Sequence, residues 1–133
     1  MSVDLCTRYL GLDLKNPLVA SASSLTGHLD VLRQMEEAGA AAVVLPSLFE
    51  EQLAGEELAV RRFFEVGTEQ FDKVRSELFE LDRYNTGAAN YLGQIKQAKR
   101  ALSIPVIASL NGMGMGGWAR HARLLEEAGA DAV

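Results

Sequence analysis

The sequence predicts a layered α/β fold built from repeated helix-to-strand joints, and three observations carry that expectation. Met35–Val43 reads Met-Glu-Glu-Ala-Gly-Ala-Ala-Ala-Val, and Leu125–Val133 repeats it as Leu-Glu-Glu-Ala-Gly-Ala-Asp-Ala-Val. Each copy is the last turn of an amphipathic helix, a glycine stop, and the start of an apolar strand. Gly39 and Gly129 suit the left-handed residue that ends a helix. The strand after Gly39 runs Ala-Ala-Ala-Val-Val-Leu without alternation, as expected of a parallel strand buried on both faces. Polar or glycine-rich loops follow the apolar runs, and in α/β folds such loops at the strands' carboxyl ends gather the ligand site.

From the amino terminus, Val3–Tyr9 and Leu12–Leu14 flank Leu10-Gly11 and predict a small antiparallel pair at the edge of the main body, closed by Asn16-Pro17. Residues 1–16 form this hairpin unit. Leu18-Val19-Ala20-Ser21 predicts a short buried strand, with Pro17 tolerated just ahead of it. The loop Ser21–Gly27 is small and polar, so a flat ligand could approach closely and meet hydroxyls and amides. Ser24 or Thr26 is a candidate cap for the next helix, whose core stripe is Leu29, Leu32, Met35 and Ala38. Strand Ala40–Leu45 follows, with Pro46–Phe49 as its exit loop.

Residues 50–86 form a helical and loop excursion of changed composition. From Glu50 to Arg83 there are ten acids and five bases. Most sit at helical spacing beside arginines, the pattern of a solvated face rather than of acid–base chemistry or Mg²⁺ binding. Glu50–Glu65 predicts a helix, and Phe71–Leu81 fits either a helix or an irregular excursion. Asn85 and Gly87 predict a turn, and the Asn85 amide offers a donor and an acceptor to a planar ligand. Ala88–Ala101 predicts a helix with Tyr91, Ile95 and Ala98 inward and Lys96, Lys99 and Arg100 favourably placed in its last turns. Ile104–Leu110 predicts a buried strand, and Asn111–Gly117 a mobile strand-to-helix connection. That glycine run lacks the G-x-G-x-x-G spacing and the Lys-Ser/Thr ending of phosphate loops. Trp118, Ala122, Leu125 and Gly129 mark the last helix.

The chain is 133 residues long and carries a formal charge of −5, which argues against a general nucleic-acid or acidic-membrane surface. It contains one cysteine and two histidines, so neither an intrachain disulfide nor a Cys/His metal cluster is available. No stretch approaches the apolar length of a spanning helix. The amino terminus lacks the basic segment and apolar core of a secretory signal, and a cytoplasmic setting is expected. No Ser-His-Asp or Cys-His set is visible, and His28 and His121 read as helix-surface residues.

Taken together, Thr7–Leu12, Asn16–Ser23, Glu36–Ser47, Ser109–Gly112 and Gly116–Trp118 resemble the dihydroorotate dehydrogenase family, most closely its dihydroorotate dehydrogenase-like branch. The resemblance implies the amino-terminal part of a (β/α)8 TIM barrel preceded by a short β-hairpin, with about four of eight barrel strands present. It also implies an FMN cofactor, with hydride transfer from dihydroorotate or a related CH-CH compound to the flavin. Ser21, Ala22 and Ser23 match the family's small-residue loop beside the flavin, which usually ends in glycine. Asn85 matches the asparagine of an Asn-x-x-Gly substrate segment. Leu45 or Val44 falls where the family commonly has a lysine, whose cation would stabilise an anionic flavin or carboxylate. The family's base and its FMN phosphate loops lie in the second half of the barrel, beyond the strand that begins at Ala130, so no catalytic residue is assigned within this chain.

The expected partners are a small-molecule substrate and FMN, with neither nucleic acid nor membrane. Two other functions fit parts of the sequence. One is a non-catalytic barrel fragment that self-associates through exposed strand edges, and a homo-oligomer is expected on that ground. The other is a barrel aldolase using a lysine Schiff base, which the absence of lysine from the strand interiors disfavours.

Overall fold

A computed structural model describes residues 3–49, 87–112 and 118–133. The predicted segments Glu50–Glu65 and Phe71–Leu81, Asn85, and most of the glycine run lie outside the described residues. Within them the chain forms β1 (Thr7–Tyr9), β2 (Leu12–Leu14), β3 (Val19–Ala20), α1 (Leu29–Glu37), β4 (Ala42–Phe49), α2 (Ala88–Ala101), β5 (Val106–Asn111) and α3 (Trp118–Glu127). A single 3₁₀ turn, Leu25–Gly27, precedes α1. The result is a mixed α/β fold with a two-stranded antiparallel hairpin and a three-stranded parallel sheet ordered β3-β4-β5. A parallel bridge from Ile107 to Ala132 adds the start of a fourth strand beside β5.

The repeated sequence produces the same geometry twice. Gly39 and Gly129 have φ of 106° and 104°. The Ala40 and Ala130 amides donate back to the Met35 and Leu125 carbonyls, while the two glycine amides donate to Glu36 and Glu126. This is the paired bonding of a left-handed helix stop, which satisfies the orphan carbonyls and swings the chain into the next strand.

The sheet has two different faces. On one, Val43, Leu45, Leu48, Val106 and Ala108 pack with Leu32 of α1, Tyr91, Ile95 and Ala98 of α2, and Leu125 of α3. The helix α2 lies between α1 and α3 on this side. On the other, Ala42 and Ile107 pack with Leu14 of the hairpin, joined at the margin by Leu12, Val19, Val44 and Ala132. The hairpin therefore does not extend the sheet at its edge. It lies across the sheet's second face near the amino ends of the strands, with Leu14 as its buried anchor.

Several expected boundaries shift. Of Val3–Tyr9 only Thr7–Tyr9 is strand, and the strand expected over Ile104–Leu110 runs Val106–Asn111. β3 is only two residues long, and Leu18 ahead of it is exposed. The strand β4 does not stop at Leu45 but continues through Pro46 to Phe49. A register shift between Val44 and Ser47 makes this possible, because a bulge is where a residue without an N–H fits inside a strand.

Candidate functional site

The face beneath the hairpin changes chemistry along the strands. Paired residues of a parallel ladder share a face, so the pairs Val19–Ala42 and Val44–Ile107 form an apolar floor, continued by Ala132. Toward the carboxyl ends the pairs become Ser47–Ser109 and Phe49–Asn111. On β5 the alternation is unbroken: Ile107 faces the hairpin side, Ala108 the helices, and Ser109 the hairpin side again. The Ser47 and Ser109 hydroxyls lie 2.7 Å apart, half-buried at the rim of the apolar floor. Asn111 is exposed beyond them. By the same alternation Ser21, one residue past β3, continues the row that contains Val44.

Ser21, Ala22 and Ser23 are all exposed. Thr26, fully buried, organises this loop from within. Its Oγ1 accepts the Ser23 N–H at 3.1 Å and donates to the Ser23 carbonyl at 2.9 Å. Neither Thr26 nor Ser24 caps α1; the residue at that position is His28, which makes no side-chain cap bond. The sequence offered Thr26 only as a candidate cap. Its hydroxyl instead reaches back three residues to the Ser23 backbone, the direction in which the third residue of a helical turn bonds to the residue ahead of it.

Leu45 is buried against the helices, on the face away from the serine pair. It helps line a cavity of about 120 Å³ with Thr26, Gly27, Leu29, Leu32, Gln94 and Gln97. That volume is well below the roughly 300 Å³ at which ordinary small-molecule sites begin. Val44, the alternative position for the family lysine, is on the hairpin face instead. Asn85 lies outside the described residues. The structure thus sets Ser21, Val44, Ser47, Ser109 and Asn111 along one face and separates Leu45 from them.

Ser47 and Ser109 were visible in sequence only as parts of two exit segments. Their alignment was legible in principle, since Ser47-Leu48-Phe49 and Ser109-Leu110-Asn111 are the same apolar-centred triplet on adjacent strands. Tyr91, read as a core residue, reaches the same place through its hydroxyl. It accepts the Ser109 N–H at 3.0 Å and donates to the Ser109 carbonyl at 3.3 Å. Burial pushes its pKa up, and the bond with Ser109 opposes that only in part.

Chemically, the rim offers hydroxyl and amide groups that donate and accept hydrogen bonds above an uncharged floor, suited to the polar edge of a flat ligand. Among the described residues no group of three or more His, Cys, Asp or Glu side chains could hold a metal ion. Nor is any described helix long and apolar enough to cross a membrane. No protein-family model matches the chain, and no curated protein matches it.

Proposed function

We propose that this chain forms the first strands of a β/α barrel belonging to an FMN-dependent oxidoreductase of the dihydroorotate dehydrogenase kind. The observation that carries the proposal is the winding of the sheet. Among the described residues, the strands containing Val19, Ala42, Val106 and Ala132 are parallel and lie side by side in chain order, and all three described helices pack on one face. A doubly wound sheet reverses its strand order and places helices on both faces. A barrel does neither.

The residues fit a flavin in two respects. The Ser21–Ser23 loop has no bulky side chain to block a flat ring, and Ser47 and Ser109 offer hydroxyls to its polar edge. When bound, FMN would supply the hydride acceptor. The chain's own residues would orient and shelter the ring: the loop by close approach, the serine pair by hydrogen bonding, and the Val44–Ile107–Ala132 floor by excluding water. Asn85 would orient the planar acid substrate. With Val44 and Leu45 both apolar, no cation from these positions would stabilise negative charge, and the substrate is dihydroorotate or a related CH-CH compound.

The test is a flavin titration followed by absorbance, with dye reduction driven by dihydroorotate, on this chain and on any longer product of the same gene. Uptake of FMN with a shifted absorption band is expected. A longer product that stays colourless with added FMN and reduces no dye would sink the reading.

A further inference from the structure

Tyr91 is 1% exposed on α2, yet its hydroxyl spends both of its hydrogen-bonding roles on the backbone of one residue, Ser109. The sheet explains why. In a parallel strand the N–H and C=O of a residue point to the same neighbour, and successive residues alternate. The Ala108 N–H donates to Ala132, and the Val106 carbonyl accepts from Asp131, so these residues face the fourth strand. Ser109 must therefore face β4. There the ladder slips: Leu45 and Pro46 together stand opposite the single Ala108. Pro46 has no N–H to give, and Tyr91 occupies the gap.

The slip also decides where Ser47 points. Counted from Val44 without a bulge, alternation would turn Ser47 toward the helices. The extra residue returns it to the hairpin face, where its hydroxyl meets that of Ser109 at 2.7 Å.

We infer that Tyr91 is a positioning residue, whose hydroxyl fills the β4–β5 bulge and so holds the Ser47–Ser109 pair on the ligand-facing side of the sheet. The ligand in this statement rests on the flavin reading above; the positioning does not.

The test compares the full chain with Tyr91→Phe, Ser47→Ala and the double variant. Amide hydrogen exchange read by NMR is independent of any cofactor. Tyr91→Phe is expected to strip protection from the Ser109 amide while the Ala108 amide, bonded to Ala132, keeps its own. An unchanged Ser109 amide would overturn the inference. With FMN, each single variant should weaken binding about tenfold, and the double variant should be no more than about twofold weaker than either. Wild-type affinity in Tyr91→Phe, or effects that add in full, would also overturn it. If the wild-type chain takes up no FMN, the cofactor reading suffers and the exchange measurement alone decides the positioning. Should Tyr91→Phe not fold, the wild-type spectrum serves: a slowly exchanging Tyr91 hydroxyl proton close to the Ser109 amide is expected, and a freely exchanging one contradicts the inference.

Discussion

At the amino ends of the parallel strands the connections are tied by carboxylates and an amide, whereas at the carboxyl ends they are tied by hydroxyls. Glu36 Oε1 accepts the backbone N–H groups of Ser103 and Ile104 at 2.8 and 3.2 Å, and the Ser103 hydroxyl as well. Asp131 Oδ2 accepts the Val106 N–H at 2.7 Å and pairs with Lys99 at the same distance. Asn16 donates to the Gly39 carbonyl and accepts the Leu18 N–H. Leu14 then seals the face above these turns. Among the described residues, the carboxyl ends carry the serine pair, the Tyr91 hydroxyl and the Ser21–Ser23 loop held by Thr26. Charged and multiply bonded clamps are the stronger kind, so among the described residues the amino ends hold the connections more firmly than the carboxyl ends, where the proposed site lies.

The contrast breaks most readily at Leu14, which is 3% exposed. Leu14→Ala is expected to cost about 2–4 kcal/mol, as for other buried leucines. Ser47→Ala, at the opposite end, should stay within about 1 kcal/mol, because its half-exposed partner can turn to water. Urea denaturation followed by circular dichroism compares them directly. Equal losses would mean that the two ends do not divide the work.

A smaller effect tests the carboxylate clamps. The hydrogen bond from the Ser103 side chain, helped by backbone bonds and the charge of Lys15, holds the Glu36 pKa below the ordinary glutamate range. A pKa depressed by folding means that the unfolded chain takes up the proton first as pH falls. The stabilisation is therefore complete above the unfolded value, about 4.3, and disappears as pH drops through the folded one. Glu36→Gln should lose about 1 kcal/mol at neutral pH, solvent screening having been allowed for. The difference between variant and wild type should shrink below about pH 4. A difference that is constant from pH 7 to pH 3 would show that Glu36 acts through shape alone.

The amino-end architecture was the more legible in sequence. Gly39 and Gly129 announced both helix stops, and Ala88–Ala101 was bounded correctly because its apolar stripe and basic last turn agree. These are local rules, settled within one turn of helix. The site end depends on relations between strands. Pro46 looked like a strand terminator because a proline cannot join a central ladder; only the bulge, completed by a tyrosine from the next described helix, lets β4 continue. The facing of Ser47 follows from that bulge and could not be read without it. The hairpin's position had the same character, since Leu12 and Leu14 declare an apolar side but not which surface it covers.

The smallest effect concerns the hairpin turn itself. Thr7 pairs with Leu14 and Tyr9 with Leu12, leaving a two-residue loop in which Leu10 and Gly11 have φ of 50° and 77°. Positive φ at both positions defines the turn whose twist matches the two strands, and Asn-Gly is its preferred sequence. Glycine meets the requirement without strain, but Leu10 places its Cβ against the backbone, at a cost of roughly 1–2 kcal/mol. Leu10 is also half-exposed, so its removal from the surface forfeits little packing. Leu10→Asn should therefore stabilise the chain by about 0.5–1 kcal/mol, the relief being partly offset by the modest apolar burial that the leucine gives up. A raised denaturation midpoint with an unchanged urea slope is the expected result. A lowered midpoint would show that Leu10 anchors the amino-terminal cover through its side chain, and would extend the clamped end of the molecule to the tip of the hairpin.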